Sequence, residues 1–348
     1  MEKVITKQIK IGNVKIGGGA PVSIQSMAKT DTRDVSATIS EIRNLEKSGC
    51  EIIRVAIKDF EAAKAIKAIK RKINLPLVAD IHFDYRLALS AIENGADKIR
   101  LNPGNIYKED EIREITKSAK RKRIPIRVGA NSGSIRNRLK NKELRAEDLV
   151  KPVLDYIKIL ERMDFYDIIV SLKASDVIGT IEAYKLFSKK SKYPLHLGVT
   201  ASGSVSKGIV KSSIGIGSLL LDGIGDTIMV SLTGEAVEEV IAAKNILQAL
   251  NLRNFGPEII SCPTCGRCQV DLQKIAAETQ EQVSDKSKIP DIKIAIMGCE
   301  VNGPGEAREA DIGIACGKGS GVIFKKGKII KRVKEKDIVK ELLKILNN

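Results

Sequence analysis

The feature that most constrains this chain is an alternation. Eight short apolar or β-branched runs, each bounded by turn signals, are separated by helix-like stretches within about 240 residues. The runs are Pro21–Gln25, Glu51–Ile57, Leu77–Ile81, Lys98–Leu101, Ile126–Gly129, Asp167–Leu172, Leu195–Val199 and Asp226–Leu232. Amphipathic stretches such as Val35–Ser48, Phe60–Lys72 and Arg86–Asn94 lie between them. Eight strand–helix units of this size predict an α/β chain closed into a (β/α)8 TIM-type barrel over residues 1–250; a doubly wound open sheet is the alternative. Asn251 to Pro257, ending in Gly-Pro, reads as a linker. Beyond it, residues 258–348 read as a small α+β domain with strands at Glu258–Ser261, Lys293–Met297, Asp311–Ala315, Gly321–Lys325 and Lys328–Val333, closed by a helix at Asp337–Leu346.

A barrel collects its chemistry where strands end and loops begin. Those positions carry Gln25 and Ser26; Arg54; Asp80 and His82; Arg100, Asn102 and Asn105; Arg127 and Asn131; Lys173 and Ser175; Thr200; Ser231 and Thr233. Turn formation and helix capping explain Asn102, Ser134 and Ser175 singly. They do not explain Arg54, Arg100, Arg127 and Lys173. A lone charge costs several kcal/mol to bury, so cations in apolar strands must face a polar ligand or a carboxylate. Four of them at one mouth suit a diphosphate held by guanidinium forks and loop amides; ion pairs with Asp80 or Asp97 are the structural alternative. His82, just after Asp80, is a candidate proton donor or acceptor, whereas His196 is expected to pack internally. Glu238 and Glu239 read as a solvated helix face.

The second domain carries Cys262-Pro-Thr-Cys265-Gly-Arg-Cys268 and, downstream, Met297-Gly-Cys299-Glu-Val-Asn-Gly-Pro-Gly305-Glu306. Two thiols three apart and a third on a glycine-flanked turn are a metal-ligand pattern. A structural zinc would show a second Cys pair or a His pair, and neither histidine lies here. Three thiolates with an unusual fourth partner suit an iron–sulfur cluster that does chemistry. The Asn302–Gly305 turn can bring Glu306 back towards Cys299, although a carboxylate at a helix amino terminus would explain Glu306 equally. Cys268 competes for the fourth position. Cys50 and Cys316 read as small buried packers.

These motifs resemble the bacterial 4-hydroxy-3-methylbut-2-en-1-yl diphosphate synthase family of the non-mevalonate isoprenoid pathway. The resemblance implies a 4Fe-4S cluster on Cys262, Cys265, Cys299 and Glu306. It likewise implies a substrate cavity lined by the segments around Asp80-Ile-His82-Phe, Arg100-x-Asn102-Pro-Gly-Asn and Ser171-x-Lys173-Ala-Ser175. The implied reaction is reductive ring opening of 2-C-methyl-D-erythritol 2,4-cyclodiphosphate, with Arg54, Arg100, Asn102, Arg127, Asn131 and Lys173 on the diphosphate and Lys211 as a further phosphate contact. A ferredoxin or flavodoxin donor and a homodimer complete the expectation, cluster and barrel meeting by hinge closure or across subunits. One departure stands out: Ala201 follows Thr200 where the family is expected to place a glutamate, so any proton transfer there is absent or moved.

Composition narrows the alternatives. The net charge is +16, but the basic residues are spread along helical stretches, aromatics are 3% and Trp is absent, so single-strand stacking platforms are scarce. No apolar run reaches membrane-spanning length and no signal-peptide core is evident, which predicts a cytoplasmic protein with reduced thiols. A zinc-knuckle RNA-binding or RNA-modifying protein, and a barrel aldolase or lyase with a structural metal, are the rival readings.

Overall fold

The structure is a computed structural model, and it describes residues 3–134, 145–200, 203–284, 292–299, 305 and 310–346. The chain divides into two compact units, Met1–Arg253 and Asn254–Asn348, the division falling inside the expected linker.

Unit one opens with an antiparallel hairpin, β1 (Ile9–Ile11) and β2 (Val14–Ile16), turned at Gly12-Asn13. Eight parallel strands follow: β3 (Ser23–Met27), β4 (Ile52–Ile57), β5 (Leu77–Ile81), β6 (Lys98–Leu101), β7 (Ile126–Asn131), β8 (Ile168–Lys173), β9 (His196–Leu197) and β10 (Thr227–Ile228). Their order is β8-β7-β6-β5-β4-β3-β10-β9, and a parallel bridge from Val170 to Leu195 brings the two ends together. The sheet is therefore a nearly closed barrel rather than an open doubly wound sheet. Strands β5, β6 and β8 are buried along their whole length, as parallel strands covered on both faces must be.

Helices α1 (Val35–Ser48), α2 (Phe60–Lys70), α3 (Tyr85–Glu93), α4 (Glu109–Lys122), α5 (Ala146–Glu161), α6 (Val177–Lys190), α7 (Val205–Leu221) and α8 (Ala236–Ala249) connect the strands. Four of these starts are fixed by aspartate: Asp34, Asp59, Asp84 and Asp176 each accept a backbone N–H of the first turn. Helix α1 stops at Gly49, whose φ of 105° suits glycine alone. Arg253 ties the end of the unit back to the residues just before β3 and β4, donating to the Val22 carbonyl at 2.9 Å and to Glu51 at 3.0 Å.

The hairpin plugs one end of the barrel. Ile9, Ile11 and Ile16 form one buried apolar cluster with Ile52, Val78 and Ile169, at the amino-terminal ends of β4, β5 and β8. Because side chains alternate along a strand, Arg54, Asp80 and Ser171, two positions further on, face the same interior. An apolar floor thus lies beneath polar upper layers. Ile11→Ala should cost about 2–5 kcal/mol of stability without altering the upper layers, read as a lowered denaturant midpoint. An unchanged midpoint would mean the plug is dispensable.

Unit two is a five-stranded sheet in the order β11 (Glu258–Ser261), β12 (Lys293–Met297), β13 (Ile312–Gly317), β14 (Ser320–Lys325) and β15 (Lys328–Lys334). The first three are parallel and the last two form an antiparallel meander. Helices α9 (Leu272–Ser284) and α10 (Ile338–Leu346) cover one face, Leu272, Ile275, Ile338 and Leu342 packing on Ile294, Ile314 and Ile323.

Candidate active site

Four cations are gathered in the upper barrel, with a fifth, Lys98, one layer below them. Asp80, Arg100 and Arg127 are register partners on β5, β6 and β7, and Arg54 approaches from β4. Arg100 donates to Asp80 at 3.2 Å and to the Gly129 carbonyl at 3.2 Å, while Arg54 Nε lies 3.7 Å from Asp80. Lys173 ends β8 opposite Asn131, whose amide, once oriented with its oxygen towards Arg100, accepts from that guanidinium at 3.3 Å. Lys98 lies two residues before Arg100 on the same inward face and donates to Gln25 at 3.2 Å. It was not singled out from sequence, although the Lys-Ile-Arg alternation on a strand places both cations on one side.

The charges do not balance. Asp80 is the acid among them, with Glu239 at some remove, and Arg127 is 1% exposed with its Nε and Nη1 lacking hydrogen-bond partners. Arg100 Nε is likewise unpartnered. Burial depresses Arg127 and Lys173 well below their ordinary values, and the neighbouring guanidinium groups depress them further. Buried donors in this state are stabilised by an anion. Two glycines make the space: a side chain at Gly129 would meet Ser171 Oγ at 2.6 Å and Arg100 Nε at 3.1 Å, and one at Gly198 would meet Lys173 Nζ at 2.6 Å.

Burial would raise the Asp80 pKa, but Arg54, Arg100 and Arg127 outweigh it and hold the carboxyl at about 2. A depressed carboxylate contributes stability above its unfolded value near 4 and loses it as pH falls towards 2. Asp80→Asn should therefore be less stable than the parent at pH 6, with the gap closing by about 1–2 kcal/mol by pH 2.5. A gap independent of pH would contradict the pairing.

The remaining expected residues are placed unequally. Asn102 is buried, but both ends of its amide serve the loop: Nδ2 donates to Ser134 Oγ at 2.8 Å and Oδ1 accepts from Gly104 at 3.0 Å. Ser175 is exposed and bonded to Ser132 at 2.9 Å. Lys211 is exposed on α7, and His82 is half-buried beside Phe83. His196 is fully buried, as expected. Glu239 corrects the solvated-face expectation: it is buried, accepts the Leu232 N–H at 2.9 Å and pairs with Lys29 at 3.1 Å, because α8 turns this residue inward to hold the loop after β10. Ala201 lies outside the described residues.

In unit two, Cys262 follows β11 and Cys299 follows β12 by one residue, and these strands are parallel neighbours, so both thiols leave the sheet at the same edge. The Gly298 N–H donates to Cys262 Sγ at 3.3 Å. Cys265 is exposed. Cys268 Sγ instead donates to the Val270 carbonyl at 3.3 Å and nests on Gly298, where a Cβ would approach it to 2.4 Å. Cys50 and Cys316 are buried, their thiols pushed up to about 12 by desolvation. Among the described residues no three His, Cys, Asp or Glu side chains stand close enough to hold a metal ion, and Glu306 lies outside them. The soft donor set and the amide aimed at Cys262 fit a thiolate-held cluster.

Fold and site define a (β/α)8 barrel protein with a buried cationic interior and a thiol-bearing second unit. The chain matches the GcpE TIM-barrel domain over residues 6–244 and the GcpE protein C-terminal domain over 258–348. It belongs to the GcpE family. It is 55% identical to a Clostridium perfringens protein over 99% of both chains, and 56% identical to one from Caldanaerobacter subterraneus over 98% of this chain and 96% of that one. Both relatives are named 4-hydroxy-3-methylbut-2-en-1-yl diphosphate synthase (flavodoxin). Among solved structures, Yersinia pestis dihydropteroate synthase superposes with a TM-score of 0.51 at 9% identity, covering 71% of this chain and 100% of that one, a likeness of fold alone. Family membership across both units leaves the RNA-binding and lyase readings without support. Among the described residues no helix is long and apolar enough to cross a membrane.

Proposed function

We propose that this chain is a flavodoxin-dependent oxidoreductase that opens 2-C-methyl-D-erythritol 2,4-cyclodiphosphate to 4-hydroxy-3-methylbut-2-enyl diphosphate, consuming two electrons and two protons and releasing water. The near-full-length identity to enzymes of that name supports the reaction. The observation that carries the substrate is the unbalanced cationic interior, with unpartnered nitrogens on Arg100 and Arg127.

In this reading Arg54, Arg100, Arg127 and Lys173 hold the diphosphate and Asn131 orients Arg100. Asp80 keeps Arg54 and Arg100 placed before substrate arrives, so their alignment costs little on binding. Lys98 supports the set from below. His82 is the candidate for moving a proton to the departing oxygen, with Asn102, Ser175 and Lys211 in outer positions. Cys262, Cys265, Cys299 and Glu306 would hold a 4Fe-4S cluster, which when bound supplies single electrons to the ring carbons. The active form is proposed to be a cytoplasmic homodimer, a feature supported by the resemblance.

The test is anaerobic turnover of the cyclodiphosphate with reduced flavodoxin, following product by phosphorus resonance. Formation of the linear diphosphate is expected. Return of unchanged substrate by iron-replete protein would overturn the reading.

A further inference from the structure

The hairpin β14–β15 carries charge that neither the barrel nor the proposed cluster ligands use. From Lys318 to Lys334 the sequence has seven lysines and arginines and no acid, whereas acids outnumber bases over the rest of unit two. Lys331 pairs with Glu341, but Lys318, Arg332 and Lys334 have no ion pair among the described residues.

Two of these cations, Lys318 and Arg332, line a groove. Gly313, Ala315 and Gly317 on β13 are register partners of Phe324, Val322 and Ser320, so a row of small residues leaves a depression beside Phe324. The groove has a volume of 490 Å³ and is lined by Gln269, Lys318, Phe324, Ile329 and Arg332 among others. Ile329 is 70% exposed on its margin. An exposed branched side chain inside a basic rim has the anatomy of a protein contact: an apolar centre and a charged border.

Four observations select the occupant. Gln269 follows Cys268, and its N–H donates to the Gly298 carbonyl at 3.3 Å, so one wall of the groove is continuous with both thiol-bearing loops. Charge of one sign around the groove steers an acidic partner. The outer strand β15 is lysine-rich along its length, which opposes strand-to-strand addition by a second copy. A single-stranded nucleic acid would find no exposed ring to stack on here, since Phe324 is buried.

We propose that this groove, with Ile329 at its margin, Lys318 and Arg332 in its lining and Lys334 across the ladder from Ser320, is where an acidic redox protein of the flavodoxin kind docks to deliver electrons. The proposal rests on the reading that the chain draws electrons from such a carrier. Each encounter oxidises the carrier and reduces the enzyme by one electron, so two encounters supply one ring opening.

The test uses the full chain purified anaerobically, the pair Lys318→Glu/Arg332→Glu, and separately Ile329→Asp, an exposed position outside the core. Flavodoxin binding is measured by calorimetry, and turnover is measured with flavodoxin and with reduced methyl viologen, a small donor that needs no docking face. The charge-reversed pair should bind flavodoxin about tenfold more weakly at low salt, with the difference shrinking at about 0.5 M salt. Ile329→Asp should weaken binding to a similar degree with little salt dependence, and methyl viologen turnover should stay within about twofold of the parent. Unchanged flavodoxin affinity in the folded variants overturns the proposal. So does loss of self-association with flavodoxin affinity intact, which would assign the face to a second copy. A parent chain that binds flavodoxin here yet turns over with neither donor would overturn the catalytic reading and leave the docking site standing.

Discussion

Arg127→Met should give a protein that is more stable than its parent and at least about a hundredfold poorer in kcat/KM. The two effects share one cause. Arg127 is sealed inside the barrel, its Nε and Nη1 unpartnered and its charge opposed by Arg54 and Arg100. A methionine of comparable reach removes the desolvation cost and keeps most of the packing, worth about 1–2 kcal/mol, or a rise in Tm of roughly 2–6 °C. The same change removes a fork that an anion would engage. Thermal unfolding without substrate, beside steady-state kinetics, reads both. A variant with lowered Tm and full activity would show that Arg127 is a structural partner rather than a ligand donor.

Cys262→Ser should lose the brown absorbance of the proposed cluster and reduce turnover to background, whereas Cys268→Ser should retain both. The distinction comes from geometry. Cys262 leaves the end of β11 with the Gly298 N–H donating to its sulfur, whereas Cys268 is turned to the Val270 carbonyl and packed on Gly298. Iron and sulfide content, with the visible spectrum of anaerobically purified variants, checks the pair. Bleaching by Cys268→Ser with colour surviving in Cys262→Ser would reverse the ligand assignment.

The barrel was legible because its signal is periodic: apolar strands and amphipathic helices repeat, and the aspartate caps mark where the helices begin. Strands β9 and β10 proved shorter than the runs that announced them, since an apolar run measures burial and not the extent of ladder pairing. The opening hairpin went unread despite the alternating Ile-Lys-Ile-Gly-Asn-Val-Lys-Ile, because three-residue strands fall below the length at which alternation is convincing. Arg54, Arg100, Arg127 and Lys173 were legible as charges out of place in apolar strands. Lys98 was not, standing at a strand's first residue, where a lysine ordinarily reaches solvent. Glu239 was missed for the opposite reason: its acidic neighbour Glu238 suggested an outer face, and only the tertiary turn towards the Leu232 amide makes it internal.

The most direct measurement is the electron paramagnetic resonance spectrum of anaerobically purified, reduced protein, recorded with and without the cyclodiphosphate. The account predicts the signal of a reduced 4Fe-4S cluster that changes when substrate is added, and that no longer responds to substrate in Arg127→Met. Protein without iron, or a cluster signal indifferent to saturating substrate, would contradict it.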